Sequence, residues 1–404
     1  MRVIVIGAGA SGLAAAIASA RMGAEVLLLE KSPKTGRKIL ASGNGRCNLM
    51  NTGSPRYFGD SALAEQLLKT FSGKTERFFE GIGLRLFEEG GGRVYPCCGQ
   101  ASVVRDALVR AAERAGVKIM TGFPAEEIRK EEREFCVLCG ENSCFRADRV
   151  ILCAGGMAGK NLGHNGDAYS LAEKLGHRVI QPFPALTGVC TDKKSVEGLS
   201  GMRCPADLTL TLSGRTADRA RGEILFADYG VSGVCVMQLS RKIAEQPSAP
   251  AVIYADFSPM LGLKERCYDH PEPPYPSVGS GREAVSRLLE ERKRRLSGEM
   301  LLAGLLPEAL ERKLREVPFS RLAELLSAYP LPVKGVRGFD QAQVTAGGLD
   351  TRQFDPITME SRLCRGMYAC GEILNVDGDC GGFNLQFAFL SGLTAGENAA
   401  KDIR

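Results

Sequence analysis

Residues 2–30, RVIVIGAGASGLAAAIASARMGAEVLLLE, decide the fold of this chain. The apolar, β-branched run at 2–6 leads straight into Gly7-Ala8-Gly9-Ala10-Ser11-Gly12. An alanine-rich segment follows, and then a second apolar run, 26–29, that ends at Glu30. Strand, glycine turn, helix, strand and acid come in the order a dinucleotide-binding βαβ unit needs. Gly7 permits the tight turn, Gly9 lets backbone approach a pyrophosphate, and Gly12 lets the helix lie close to the strand. The helix points its unsatisfied N–H groups and positive dipole end, at Ala10 and Ser11, toward the phosphates. Glu30 stands 18 residues after Gly12 at the tip of the second strand, where its carboxylate can accept ribose hydroxyls and repel a 2′-phosphate. The unit alone does not choose between NAD and FAD.

A length of 404 residues implies two or three domains. Hydrophobic content of 44% and charge of 25% are those of a soluble globular protein. No stretch approaches 18 uninterrupted apolar residues, so no transmembrane helix is expected. The first strand begins at the N-terminus, which leaves no room for a targeting segment and implies the cytoplasm. A net charge of +5 is mild, compatible with an anionic cofactor, and does not indicate nucleic acid. The 14 cysteines are scattered and are expected as reduced thiols. Cys136, Cys139 and Cys144 give C-x2-C-x4-C, a possible zinc spacing, but the histidines are His164, His177 and His270, and no fourth ligand is near. The same stretch reads as a β-hairpin around Gly140-Glu141-Asn142, and no metal is expected.

After Glu30 comes a basic, glycine-rich loop, KSPKTGRKILASGNGRCNLMN, at 31–51. Lys31, Arg37, Lys38 and Arg46 can balance pyrophosphate charge or sit by a flavin ring, and Gly36, Gly43 and Gly45 let backbone approach a ligand. Helices are expected over 61–82 and 101–115, strands around Glu89-Gly90-Gly91-Gly92, and an apolar strand at 150 that ends in Ala154-Gly155-Gly156. From about 190 the pattern becomes strands separated by turns: ADLTLTLSG, EILFADYG, VSGVCVMQLS and PAVIYADF. Residues 267–281 are rich in proline and glycine and mark a boundary. Residues 282–328 read as charged helices whose acids and bases interleave, a solvated face rather than a nucleic-acid surface. From 339 the glycines return, ending in a strand, a glycine turn and a helix.

Four stretches together resemble the HI0933-like flavoproteins, FAD-binding oxidoreductases with BaiN-like and aminoacetone oxidase-like members. They are GAGASG…LLLEK at 7–31, GRKILASGNGRCN at 36–48, GEILF at 222–226 and QVTAGGLD…TMESRLCRGMYACGEILNVDGDCGGFNLQFAFLSG at 343–392. The resemblance implies an α/β fold: a Rossmann-like FAD-binding domain of the two-dinucleotide-binding type, interrupted by a small β-barrel and a helical subdomain. The expected divisions are 1–190 with 340–404, 191–266 with 329–339, and 267–328. The resemblance further implies FAD at Gly7–Gly12, with Glu30 on the adenosine ribose. Ser42, Gly43, Asn44, Ala125, Ala154 and Gly155 would also line the cofactor. Gly371-Glu372, or Asp377, would lie near its ribityl and phosphate groups. Gly382, Phe383, Asn384 and Leu385 would set a helix N-terminus beside the flavin, favouring negative charge on the reduced ring. Departures from the family pattern include Cys153-Ala154, His164-Asn165, Ala227-Asp228, Ser232-Gly233-Val234 and Cys98.

The flavin carries the chemistry, so no catalytic residue is assigned. Cys47 beside Arg46 is read as a packing residue, and His164 as hydrogen-bonded structure. A second GxGxxG unit is missing, so either NADH or NADPH binds without a dedicated Rossmann domain, or electrons come from the substrate or another protein. The expected activity is hydride transfer between flavin and a small or medium organic substrate held between the flavin domain and the barrel. A conjugated enone of the bile-acid type is preferred, with oxidation of an aminoacetone-like amine as the alternative. An RNA-associated flavoprotein and a flavin sensor without turnover are the other classes. The oligomeric state is not legible.

Overall fold

An apolar run with no polar alternation suits a strand covered on both faces. In a computed structural model of the chain, Arg2–Ile6 (β1) is the middle strand of a five-stranded parallel sheet. The structure describes residues 1–132, 134–140, 143–163, 165–264, 279–296 and 300–401. The other strands are Glu25–Glu30 (β2), Lys118–Thr121 (β3), Arg149–Leu152 (β4) and Met367–Ala369 (β5), in the order β5-β4-β1-β2-β3. Ile6 lies opposite Leu29 on one side and Leu152 on the other, and Leu152 lies opposite Ala369. Gly7, Glu30, Cys153 and Cys370 therefore come out along the carboxyl edge, where open α/β sheets take their ligands.

Two helices pack beside this sheet. Ala10–Arg21 (α1) is buried from Ser11 to Ser19, and its alanines leave room for close neighbours. Phe383–Ala399 (α2) crosses it through small residues at Gly392 and Gly396. These elements belong to a unit formed by Met1–Phe183 and Val344–Arg404, and Pro184–Gln343 forms a second.

The hairpin expected at 135–147 is present as Phe135–Cys139 paired with Ser143–Ala147, while Glu141 and Asn142 lie outside the described residues. Its cysteines correct the all-reduced expectation. Cys136 and Cys144 form a disulfide, with Cα atoms 6.1 Å apart. The register sets Arg146 opposite Cys136 and Leu138 opposite Cys144, so the two cysteines are diagonal neighbours within bonding reach. The bond removes both as thiolate ligands. Burial pushes the thiol of Cys139, the middle cysteine of the run, up to about 11.

The second unit is a closed barrel of six strands. Around it run Val189–Thr191, Gly230–Ser232, Arg215–Ala227, Arg203–Leu212, Ala251–Asp256 and Tyr329–Val336. VSGVCVMQLS, expected as one strand, is a short strand followed by a helix, Val234–Glu245. Its buried apolar positions and Ser240 (Cys235, Val236, Leu239, Ser240 and Ile243) recur at helical spacing, and this tertiary face overrides the β-propensity of the valines. The charged segment forms helices Arg282–Arg295, Glu308–Leu314 and Phe319–Ser327. Their Leu289, Leu310, Leu322 and Leu326 join the barrel's own core. Their outer charges pair one turn apart, as in Arg287–Glu283, Arg295–Glu291 and Arg312–Glu308. The boundary read at 267–281 lies outside the described residues up to 278.

Candidate cofactor site

The three glycines of the first turn are held by different constraints. Gly7 has φ +101°, and a Cβ there would lie 2.7 Å from the carbonyl oxygen of Cys153. A Cβ at Gly12 would lie 1.8 Å from the carbonyl oxygen of Gly7. At Gly9 a Cβ would meet nothing within 4 Å. Packing thus requires Gly7 and Gly12, while Gly9 borders open space at the start of α1. That helix has no side-chain cap and no acid in its first turn. The amides of Ala10, Ser11 and Gly12 have no acceptor within the helix and can receive an anion. This is a cradle of the shape and polarity a dinucleotide pyrophosphate needs.

Glu30 is fixed before any ligand arrives. Its Oε2 accepts from the Ala8 N–H at 2.8 Å and its Oε1 from the Ser32 N–H at 2.8 Å. Each oxygen keeps further lone-pair capacity for a hydroxyl donor. The loop carrying Ala125 is tied to this corner, because Phe123 N–H donates to the Glu30 carbonyl and Gly122 N–H to that of Ser32. Lys31 and Arg37 turn to 160–167 instead. Lys31 Nζ donates to Asn165 Oδ1 at 2.8 Å, and Arg37 donates to the Asn161 carbonyl at 3.4 Å.

Lys38 and Glu372, read separately from sequence, form an ion pair. Glu372 also accepts from the Thr345 N–H at 2.8 Å, and Lys38 donates to the Ala158 carbonyl at 3.3 Å. Thr345 Oγ1 in turn accepts from the amides of Met157 and Ala158, each at 2.8 Å. This network clamps the loop after β4, which carries Ala154 and Gly155. Gly371 sits against α1, where a Cβ would lie 2.4 Å from Ser11 Oγ.

A third group surrounds the start of α2. Gly43 and Asn44 both take left-handed backbone at φ 54°, and Ser42 Oγ donates to the Ile39 carbonyl. Gly382 caps α2 at φ +106°, where a Cβ would lie 2.5 Å from Met50 O and 2.7 Å from Asn48 Oδ1. Asn384 spans the preceding turn: its Oδ1 accepts from Gly378 N–H and its Nδ2 donates to Gly378 O. Tyr57 donates to the Phe383 carbonyl at 2.9 Å, Leu385 is half-buried and Asp377 is buried in Val376–Gly378. Cys47 is fully buried at φ 60°, and burial pushes its thiol up to about 11, so it carries no thiolate at neutral pH. Arg46 instead pairs with Glu89 at 3.0 Å and stacks on Tyr95 at 4.1 Å. His164 lies outside the described residues.

Sequence reading missed Thr345, Asn48, Asn51 and Tyr57. Asn51 Nδ2 donates to Gly381 O at 2.8 Å. Thr345 lies inside the QVTAGG stretch, which was the available signal.

The fold and this glycine-rich border define a Rossmann-type FAD-binding protein with a barrel insert. The chain belongs to the HI0933-like family, whose Rossmann-domain model matches residues 1–398. It is 36% identical, over 99% of both chains, to a protein of Clostridium scindens named 3-dehydro-bile acid delta(4,6)-reductase. It is 27% identical to the ribosomal RNA dihydrouridine synthase of Escherichia coli K12, over 96% of this chain and 95% of that one. Among solved structures, the 3-ketosteroid-delta4-(5alpha)-dehydrogenase of Rhodococcus jostii RHA1 shares the fold. Its TM-score is 0.50 at 16% identity, over 99% of this chain and 96% of that one. Among the described residues, no helix is long and apolar enough to cross a membrane.

Proposed function

We propose that this chain, an FAD-dependent oxidoreductase, reduces a carbon–carbon double bond conjugated to a ring ketone in a bile-acid-type substrate. The observation that carries this reading is the end-to-end similarity to the bile acid reductase, 36% over 99% of both chains. FAD, when bound, supplies the hydride chemistry. In this reading the amides of Ala10, Ser11 and Gly12 receive the pyrophosphate and Glu30 accepts the ribose hydroxyls. The loop at Ala125 borders the adenine. Lys31 and Arg37, turned to Asn165 and the Asn161 carbonyl, would add only longer-range positive charge for the phosphates. Ala154, Gly155, Gly371 and Asp377 border the middle of the cofactor, and the Lys38–Glu372 pair holds the loops around it. Ser42, Gly43 and Asn44 approach the flavin with the α2 start at Gly382–Leu385.

The test is the visible spectrum of the purified protein, then anaerobic titration with NADH and NADPH. Flavin that bleaches and recovers on adding a 3-oxo-4,6-diene steroid acid supports the reading. A protein that takes up no FAD overturns it. Bound flavin that ignores nicotinamides, but is reduced by an aminoacetone-like amine, assigns the amine oxidase instead.

The relatives named for ribosomal RNA carry a second reading, at 27% and 28% identity over 96% of this chain. Salt-dependent binding of ribosomal RNA fragments would support it, and no binding at low salt would end it. The turn-by-turn pairing of the helical charges leaves less free positive surface for such a partner.

A further inference from the structure

Beside the start of α2 lies a polar atom that the fold leaves without a partner. Asn48 is 9% exposed, and its Oδ1 accepts no hydrogen bond among the described residues. It points at Gly382, the residue that caps α2, where a Cβ would lie 2.7 Å from Asn48 Oδ1. Its aim is fixed from both sides. Asn48 follows Cys47, whose φ of 60° turns the chain, and the Leu49 N–H donates to the Val94 carbonyl at 2.8 Å. Asn51 Nδ2 donates to the Gly381 carbonyl at 2.8 Å, and the Asn51 N–H donates to Gln386 Oε1 at 3.4 Å. A buried acceptor without a donor is costly, and each one in a native fold calls for an explanation.

The helix start offers the complementary half. α2 spans 17 residues, with no side-chain cap and no acid in its first turn. The amides of Phe383, Asn384 and Leu385 have no acceptor within the helix, and the Asn384 side chain is spent on Gly378. Asp379, in the preceding turn, is paired with Arg56 at 3.0 Å. α2 runs in the same direction as α1, with Gly392 against Ser11 and Gly396 against Ala15. Gly382 stands ten residues before Gly392, so at the helical rise α2 begins ~15 Å beyond the phosphate cradle. That is the span of a five-carbon ribityl chain and the ring attached to it. All these residues belong to the unit of Met1–Phe183 and Val344–Arg404.

We propose that Asn48 is a flavin-binding residue that reads the pyrimidine edge of the isoalloxazine ring. This rests on the FAD-binding part of the reading above. That edge carries a donor, N3–H, between the carbonyl oxygens at C2 and C4. Asn48 Oδ1 accepts the N3 hydrogen, and the first-turn amides of α2 donate to the C2 oxygen. An acceptor beside a fan of donors matches that alternation, whereas an ionised phosphate or carboxylate offers Asn48 Oδ1 no donor. The contact binds and orients the ring and has no part in hydride transfer.

The experiment titrates the full-length, FAD-free protein with FAD and with its N3-methyl analogue, which lacks the donor, and follows the quenching of flavin fluorescence. Wild type should bind FAD about 10-fold or more tightly than the analogue, as a buried acceptor left unpaired predicts. Asn48→Ala should weaken FAD to the level of the analogue and leave the analogue within about 2-fold, so that the cycle assigns the preference to this pair. Asn48→Asp keeps an acceptor and should keep the preference, and it covers the case in which the Ala variant does not fold. Equal binding of FAD and analogue by wild type overturns the assignment without any variant. An Asn48→Ala protein that binds FAD as wild type does, but tightens on the analogue, also overturns it, because the methyl group was then excluded by bulk alone. Adding a 3-oxo-4,6-diene steroid acid to the reduced holoenzyme separates the two readings. If FAD is preferred in an Asn48-dependent way yet the diene is not reduced, the enone reading falls and Asn48 stands. If the diene is reduced yet FAD and analogue bind alike, Asn48 falls and the enone reading stands. A protein that takes up no FAD overturns both.

Discussion

The carbonyl oxygen of Ser11 in α1 faces Gly392 in α2 so closely that a Cβ at 392 would lie 2.3 Å from it. One turn on, a Cβ at Gly396 would lie 2.3 Å from the Ala15 carbonyl, and Ser19 Oγ donates to the Gly396 carbonyl at 2.8 Å. The contact is backbone against backbone, so no side-chain rotation relieves it. Gly392→Ala should therefore force the helices apart and cost about 1–3 kcal/mol, the usual range for overpacking. The fall in denaturant midpoint, at unchanged slope, measures it. The same shift should disturb Ser11 and weaken FAD binding in parallel.

Gly9 should behave in the opposite way. Its φ of −84° suits any residue, and its Cβ would enter open space. Gly9→Ala should leave the stability of the FAD-free protein within about 0.5 kcal/mol, as for a surface change. It should raise the FAD dissociation constant by about 10-fold or more, because the methyl group occupies the approach of a phosphate. Gly12→Ala, whose Cβ would lie 1.8 Å from Gly7 O, should instead fail in stability first. Paired measurements of denaturant midpoint and flavin fluorescence quenching distinguish the two glycines. Equal effects on both quantities would contradict the assignment of Gly9 to the ligand side.

These contrasts show what a sequence makes legible. The strand–turn–helix–strand–acid unit is local, and each residue from Gly7 to Glu30 carries its own signal in a window of thirty residues. The fit of Gly371 and Gly392 against Ser11 depends on segments that are distant along the chain, and no local pattern encodes that approach. Lys38 and Glu372 stood out separately as charges in glycine-rich loops, but their mutual pairing needed the fold. The helix at Val234–Glu245 was misread because its valines favour strands, although Cys235, Val236, Leu239 and Ile243 already showed helical spacing. The Cys136–Cys144 bond depended on a hairpin register that composition does not set.

The Lys38–Glu372 pair is partly buried, with side chains 26% and 20% exposed. Glu372 has a second duty, since it accepts the Thr345 amide. Glu372→Gln keeps an acceptor for that amide but leaves Lys38 without a counter-charge, whereas Glu372→Ala removes both. The alanine variant should be the more destabilised, by about 1–3 kcal/mol for the orphaned amide and the unpaired ammonium together. Lys38→Met should cost less than Glu372→Ala, because Thr345 keeps its acceptor. A double-mutant cycle over the two positions isolates the pair itself. No coupling between them would mean that solvent already screens the interaction.

Alkaline pH should destabilise the fold through its buried thiols. Burial pushes Cys47 and Cys139 up to about 11, and Cys204 and Cys235 up to about 12, from an ordinary value of 9.0. In the unfolded chain these thiols lose their protons near the ordinary value, while the folded protein keeps them. Between the two values the unfolded state binds fewer protons, so stability is full below about pH 9 and falls as pH rises toward 11–12. Denaturant midpoints measured from pH 7 to 11 under reducing conditions should decline over the upper part of that range. Cys47→Ala should flatten part of the slope, apart from any cavity cost, which is independent of pH. A midpoint that stays level up to pH 11 would show that these thiols ionise alike in the folded and unfolded chain.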